Sequence, residues 1–160
     1  MVVLNTLRAH SLFAKKEKCS FGCLEIPYLG HTIKGGGVSP DPDKLKAIVE
    51  WPVPSNTSQV RAFLVISGYY RKFIKRYASI ASPLTDLLSK NGFSWTTEAN
   101  NAFRELKNHL ITASILALPD FSQPFVVETD ASGVGIGAVL LQNEKPLAFY
   151  SRKLSPAMQR

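Results

Sequence analysis

The chain has 160 residues, 45% of them hydrophobic and 19% charged, with a formal net charge of +7. This is the composition of a globular chain of one or two small domains and excludes a disordered one. No apolar run approaches the roughly 18 residues a membrane span requires.

The positive charge is confined to one half. Residues 1–80 hold 12 Lys/Arg against 5 Asp/Glu, whereas residues 81–160 hold 7 of each. A polyanionic partner, nucleic acid first, is therefore expected for the first half.

Residues 2–13 carry Val3, Leu4, Leu7, Leu12 and Phe13 at helical spacing, with no N-cap before them, so the chain is expected to open inside an element. The start lacks a charged region followed by an apolar core, so a secretory signal is not expected. Arg8, Lys15, Lys16 and Lys18 permit an organelle presequence only weakly, given Glu17. Cys19 and Cys23, with Phe21 between them, are expected on one strand face as buried apolar thiols; no second Cys/His pair follows to make a metal knuckle. A change of phase at Gly22-Cys23 predicts a turn joining two strands, the second reaching Tyr28. Gly35-Gly36-Gly37 predicts a flexible tight turn.

Asp41 and Pro42 fit the N-cap and first residue of a helix whose buried stripe is Leu45, Ile48 and Val49. Trp51-Pro52-Val53-Pro54 ends it. Ser55-Asn56-Thr57 caps the next helix, with Val60, Phe63, Leu64 and Ser67 inward and Gly68 a break or bend. From residue 51 to residue 85 there are five basic residues and no acidic one. Arg71, Lys72, Lys75 and Arg76 interleave with Tyr69, Tyr70, Phe73 and Tyr77. Tyr70, Phe73, Ile74 and Tyr77 make a helical stripe and are expected in the core, which turns the cations outward to meet phosphates.

Residues 80–88 predict a short helix with Pro83 near its start, and Asn91-Gly92 a turn. Thr96 or Thr97 is expected to cap a helix running to about Leu110, with Ala102, Phe103, Leu106 and Leu110 inward and His109 complementing the dipole. A linker at 117–121 leads to a strand over residues 125–130, on which Glu128 and Asp130 share a face. Two further strands, joined at residues 143–146, complete an antiparallel meander. A carboxylate at a strand end beside a Gly-rich hairpin can hold Mg²⁺, or it can simply close an Asx-turn. Periodicity leaves both readings open for Asp130.

Thr129-Asp130-Ala131-Ser132, Gly135-Ile136-Gly137-Ala138-Val139-Leu140 and Tyr150-Ser151-Arg152-Lys153-Leu154 resemble the opening of the ribonuclease H domain of gypsy-type LTR retrotransposon Pol polyproteins. Lys18-Cys19-Ser20-Phe21 and Tyr28-Leu29-Gly30-His31 resemble the hairpin at the end of the polymerase palm, which grips the primer strand in that family. Val60-Arg61-Ala62-Phe63-Leu64, Gly68-Tyr69-Tyr70-Arg71-Lys72-Phe73-Ile74 and Pro83-Leu84-Thr85-Asp86 resemble its thumb.

The resemblance implies an α+β chain in three parts: a palm-end β-hairpin (1–40), a helical thumb and connection (41–115), and an incomplete ribonuclease H-like three-stranded meander (116–160). It implies RNA-directed DNA synthesis and hybrid cleavage for the parent enzyme, with Asp130 the first carboxylate of a Mg²⁺ site. It also implies contact with the backbone of an RNA–DNA or DNA duplex through Tyr28, Leu29, Gly30, His31, Arg61, Tyr69, Arg71, Lys72, Lys75 and Arg76. The remaining partner is the rest of the polyprotein, and no membrane is involved.

Several departures qualify this. Val65-Ile66 stands where the family has Gly-Leu, and Met158 where it usually has Glu. The polymerase's paired aspartates and the other ribonuclease H carboxylates fall outside the matched segment. The chain is therefore expected to be a catalytically inactive fragment, or a relic reading frame with at most non-specific nucleic-acid binding. A bare three-stranded sheet is also expected to leave one face uncovered.

Overall fold

The computed structural model describes residues 2–89, 93–133 and 135–155. The architecture is mixed helix and sheet, as expected. Helix α1 is Val2–Ala9. Strands β1 (Glu25–Tyr28), β2 (His31–Lys34) and β3 (Gly37–Pro40) form one antiparallel sheet in that order. Helices α2 (Pro42–Val49), α3 (Thr57–Tyr69), α4 (Tyr77–Asp86) and α5 (Thr97–Ile111) follow, with a 3₁₀ turn at Arg71–Phe73 between α3 and α4. Strands β4 (Val126–Ala131), β5 (Gly135–Gln142) and β6 (Lys145–Lys153) make the second sheet, again a meander.

Two of the hairpins turn on paired left-handed residues. Leu29 and Gly30 (φ 47° and 72°) join β1 to β2, and Asn143 and Glu144 (φ 49° and 62°) join β5 to β6. That is the primed turn whose twist matches the flanking strands. The β2–β3 turn uses Gly35 and Gly36, but the constrained glycine is the third. Gly37 has φ 152°, and a Cβ there would lie 2.2 Å from the Leu116 carbonyl oxygen. The close approach has a purpose: Val38 N–H donates to Leu116 C=O at 2.7 Å and Leu116 N–H to Val38 C=O at 2.9 Å. The segment after α5 is thereby stitched to the first sheet.

The helix starts follow the sequence signals. Asp41 accepts from the Asp43 amide, and Asn56 from the Gln59 amide, both at 3.0 Å. Gln59 Oε1 in turn accepts from the Ser55 amide at 2.8 Å, and Thr96 caps α5 through the Ala99 amide at 3.2 Å. Each such cap satisfies a donor that the first helical turn leaves unpaired. The start of α4 differs. Arg76 at its N-cap is left-handed (φ 60°) and supplies no side-chain acceptor. Ser151 of β6 does so instead, its Oγ accepting from the Ala78 amide at 2.8 Å.

The core lies among the helices. Phe63 is fully buried and meets the Phe103 ring at 4.6 Å and the Trp51 ring at 6.4 Å. Val60, Ile48, Leu84, Leu106, Leu110 and Leu116 belong to the same buried cluster. Each such side chain contributes about 1.5–3 kcal/mol by burial. Lys107 ties α5 to the end of α2: its ammonium donates to the Val49 carbonyl at 2.9 Å and to that of Trp51, and lies 4.3 Å from the Phe103 centroid. The Val49 carbonyl is one of those a helix end leaves unpaired. Burial lowers the Lys107 pKa.

Several expectations are corrected. The α1 helix ends at Ala9, with Ser11 left-handed (φ 57°), and none of its residues is buried. No strand spans Cys19 to Cys23, and neither thiol is in the core: Cys23 is exposed and Cys19 half-buried. Val49 is exposed, leaving Ile48 as the buried residue of α2. Gly68 does not break α3, which runs to Tyr69. Tyr70, Phe73 and Ile74 are buried as expected and Tyr77 half-buried, but on a helix–3₁₀–helix path, not one helix. Pro83 lies inside α4, not near its start, since the helix begins at Tyr77. The second sheet is covered in part: β5 and β6 are largely half-buried, with β6 against α4, whereas β4 is exposed along its length. The expected Asn91-Gly92 turn and Met158 lie outside the described residues.

Candidate functional site

The tip of the β1–β2 hairpin is held by α3. Tyr69 O–H donates to the Leu29 carbonyl, and Tyr70 O–H donates to the Gly30 carbonyl at 3.0 Å. His31 Nδ1 lies 2.9 Å from the same Leu29 carbonyl. A carbonyl only accepts, so Nδ1 carries the hydrogen. The imidazole is 8% exposed and ringed by Tyr69, Tyr70 and Phe73 at centroid distances of 5.3, 5.7 and 5.6 Å. Its buried Nε2 has no hydrogen-bond partner. His31 thus supports the hairpin from within, whereas Tyr28, Leu29 and Tyr69 are exposed at the surface.

Arg61, Val65 and Tyr69 share one face of α3 by their spacing of four, and all three are exposed. Val65 and Tyr69 border an apolar groove of about 430 Å³ between the hairpin tip, α2 and α3, walled by Ile48, Trp51 and Tyr70. Burial raises the Tyr70 phenol above its ordinary pKa, with the Tyr69 phenol and the Asp41 carboxylate adding to the effect.

The basic stretch turns its aromatics inward and its cations outward. Arg71, Lys75 and Arg76 are exposed while Tyr70, Phe73 and Ile74 are buried. Lys72 is the exception. It is half-buried, its ammonium is 5.2 Å from the Phe73 centroid, and burial lowers its pKa. The left-handed turn at Arg76 lets Lys75 and Arg76 line two adjoining cavities. One, of about 470 Å³, also contains Glu105 and His109, which lie 3.8 Å apart. The other, of about 150 Å³, contains Glu128 and Asp130.

Asp130 sits near the end of β4, exposed, with Glu128 two residues before it on the same pleat. Among the described residues no three His, Cys, Asp or Glu side chains converge. The cavity instead combines two carboxylates with two cations, and none of these four forms an ion pair within 4 Å among the described residues. Sequence reasoning named Asp130, Lys75 and Arg76 without foreseeing that they share a space, because residues 75 and 130 are joined only by the docking of the second sheet. It also passed over Arg152 and Lys153, which line a further cavity with Arg71.

Residues 95–160 match the family model of the RNase H-like domain found in reverse transcriptase. An uncharacterized mitochondrial protein of Arabidopsis thaliana is 50% identical over 127 residues, covering 78% of this chain and 80% of that protein. The retrovirus-related Pol polyprotein from transposon 297 of Drosophila melanogaster is 44% identical over 96% of this chain, and that from transposon gypsy of the same organism 39% identical over 98%. The chain spans only 15% and 16% of those two polyproteins. Among solved structures, foamy viral protease-reverse transcriptase dRH in complex with double-stranded DNA superimposes with a TM-score of 0.88 at 21% identity, over 99% of this chain and 29% of that one. The same viral enzyme in complex with an RNA/DNA hybrid gives 0.82 at 22% identity, over 90% and 20%.

Proposed function

Because the chain belongs to the reverse transcriptase–ribonuclease H family of gypsy-type retrotransposon Pol polyproteins, we propose that it is the duplex-holding segment of such a polymerase. Residues 1–40 are read as the end of the palm, 41–115 as thumb and connection, and 116–160 as the opening of the ribonuclease H-like part. Its task on this reading is to hold a template–primer duplex by its phosphates, with little preference for sequence.

One observation carries the reading. Five basic residues and no acidic one lie between residues 51 and 85, and Arg61, Arg71, Lys75 and Arg76 are all exposed. Fold neighbours that hold an RNA/DNA hybrid or double-stranded DNA support it.

Catalysis by these 160 residues is not part of the proposal. They contain no two adjacent aspartates. The surroundings of Asp130 do not fit Mg²⁺ as a resident ion. Two-metal phosphodiester chemistry needs several converging carboxylates, whereas here two carboxylates share their cavity with Lys75 and Arg76 and the charges cancel. A second reading, an inert relic, is favoured by β4, whose Val126 and Val127 are exposed on a sheet edge that is unpaired among the described residues.

The test is fluorescence anisotropy of a labelled hybrid and a labelled DNA duplex against the purified chain across a salt series. About four engaged cations give a slope of log K against log salt near −3.6. Scrambling the duplex sequence leaves the affinity unchanged. A flat salt response refutes the reading.

A further inference from the structure

The docking of β6 on α4 leaves a cavity of about 370 Å³ at the seam. Three cations from two separate elements line it: Arg71 from the 3₁₀ turn, and Arg152 and Lys153 from the end of β6. Lys153 is already engaged, with Asp86 oxygens at 3.0 and 3.3 Å. Arg71 and Arg152 take part in no ion pair among the described residues. Both are exposed. The other polar groups lining the space are the hydroxyls of Tyr77, Ser82, Thr85 and Ser151, and Gly68, Ala78 and Ala81 keep it open.

Packing brings two exposed guanidinium groups to line one space. Asp86 is engaged by Lys153, and neither arginine has a carboxylate partner among the described residues. An anion with several oxygens complements that pair of charges. A guanidinium presents a planar fork that a tetrahedral phosphate accepts in pairs, leaving further phosphate oxygens for a second fork or a hydroxyl. The volume accommodates a phosphate together with part of an attached sugar.

We propose that Arg71 and Arg152 form a phosphate-binding site across the α4–β6 seam, separate from the Lys75–Arg76 pair. The inference rests on the duplex-holding reading for its natural ligand, a backbone phosphodiester. It extends the phosphate track from the basic half of the sequence onto a sheet whose own half is electrically neutral. One bound phosphate would then bridge the helices and the sheet.

The experiment compares Arg71→Gln, Arg152→Gln, the double variant, and Lys75→Gln/Arg76→Gln, with folding checked by circular dichroism. Duplex binding is measured by anisotropy across salt. In parallel, the arginine Nε–H signals are followed by NMR as inorganic phosphate is added. Loss of one phosphate contact makes the salt slope of the Arg71/Arg152 double variant shallower by about 0.9. Because both arginines hold the same phosphate, the losses in log K of the two single variants will not add up to that of the double. If the double variant keeps the wild-type slope and affinity while Lys75→Gln/Arg76→Gln loses slope, the seam site is wrong and the duplex reading survives. If the wild-type chain binds no duplex, the reading fails, and the NMR titration decides the site. Shifts of Arg71 and Arg152 together assign it to small free phosphates, and no shift removes it.

Discussion

Gly37→Ala tests the claim that the first sheet and the segment after α5 are one structural unit. The backbone at Gly37 (φ 152°) is one that L side chains rarely adopt, and the added Cβ meets a carbonyl oxygen at 2.2 Å and the Ile115 side chain at 2.8 Å. Holding the native backbone would cost on the order of 1–3 kcal/mol in strain alone, before the clash. The alternative is to release the Val38–Leu116 bridge. That gives up two backbone hydrogen bonds at about 1 kcal/mol each and partly exposes Leu116, now 2% accessible, at about another 1–2 kcal/mol. The molecule will take the cheaper path, so the expected loss is about 2–4 kcal/mol. This is a large part of the roughly 5–15 kcal/mol that stabilises an ordinary domain. Gly35→Ala and Gly36→Ala serve as controls, since a Cβ at either meets nothing within 4 Å. Urea denaturation gives the size of the effect. Hydrogen exchange locates it, with the Val38 and Leu116 amides losing protection first. A Gly37→Ala protein as stable as Gly36→Ala, with the Leu116 amide still protected, would refute the argument.

Other outcomes follow from the same packing. Phe63→Ala removes a fully buried ring between Trp51 and Phe103 and should cost about 3–5 kcal/mol by urea denaturation. Ser151→Ala should cost about 1 kcal/mol and raise hydrogen exchange at the Ala78 amide while leaving α5 protected. Burial raises the pKa of Tyr70 and of Tyr77. Their contribution is therefore whole below the ordinary tyrosine value of 10.0 and is lost as pH climbs from there through the raised folded values. The urea midpoint should drop in that window, and less so in Tyr70→Phe/Tyr77→Phe. Lys75→Gln/Arg76→Gln should make the salt slope of duplex binding shallower by about 1.8 if each cation meets one phosphate.

What the sequence disclosed was local. Asp41, Asn56 and Thr96 announce their helices because a cap works through amides two or three residues away. The inward stripe of α5 is legible for the same reason: Ala102, Phe103, Leu106 and Leu110 repeat at helical spacing. The stripe Tyr70, Phe73, Ile74 and Tyr77 predicts burial, and the first three are buried and Tyr77 half-buried, but on a path that passes through a 3₁₀ turn, an extended Ile74 and a left-handed Arg76, not on one helix. Cys19, Phe21 and Cys23 alternate like a strand but have no partner strand among the described residues, and alternation cannot supply one. Gly35-Gly36-Gly37 looked uniform because the constraint on Gly37 comes from Leu116, far along the chain. The charged groupings were hidden likewise. Nothing in the order of residues joins Arg76 to Asp130, or Arg71 to Arg152, until the second sheet docks.

That docking is coupled to the start of α4. Arg76 enters the helix left-handed and offers no cap of its own, so the first turn depends on Ser151 from β6. The Lys153–Asp86 pair fastens the other end of the helix, but both side chains are well exposed, and such pairs contribute at most about 1 kcal/mol. The half-buried cap therefore matters more than the exposed ion pair. If β6 separates, α4 loses an acceptor for Ala78, and the two cation-lined cavities that β6 helps to wall open at once. Anything that closes the Arg71–Arg152 gap works in the opposite direction, by holding β6 to the helices. A phosphate at the seam should thus protect the Ala78 amide from exchange, and that protection should disappear in Ser151→Ala, although this variant leaves every cation in place.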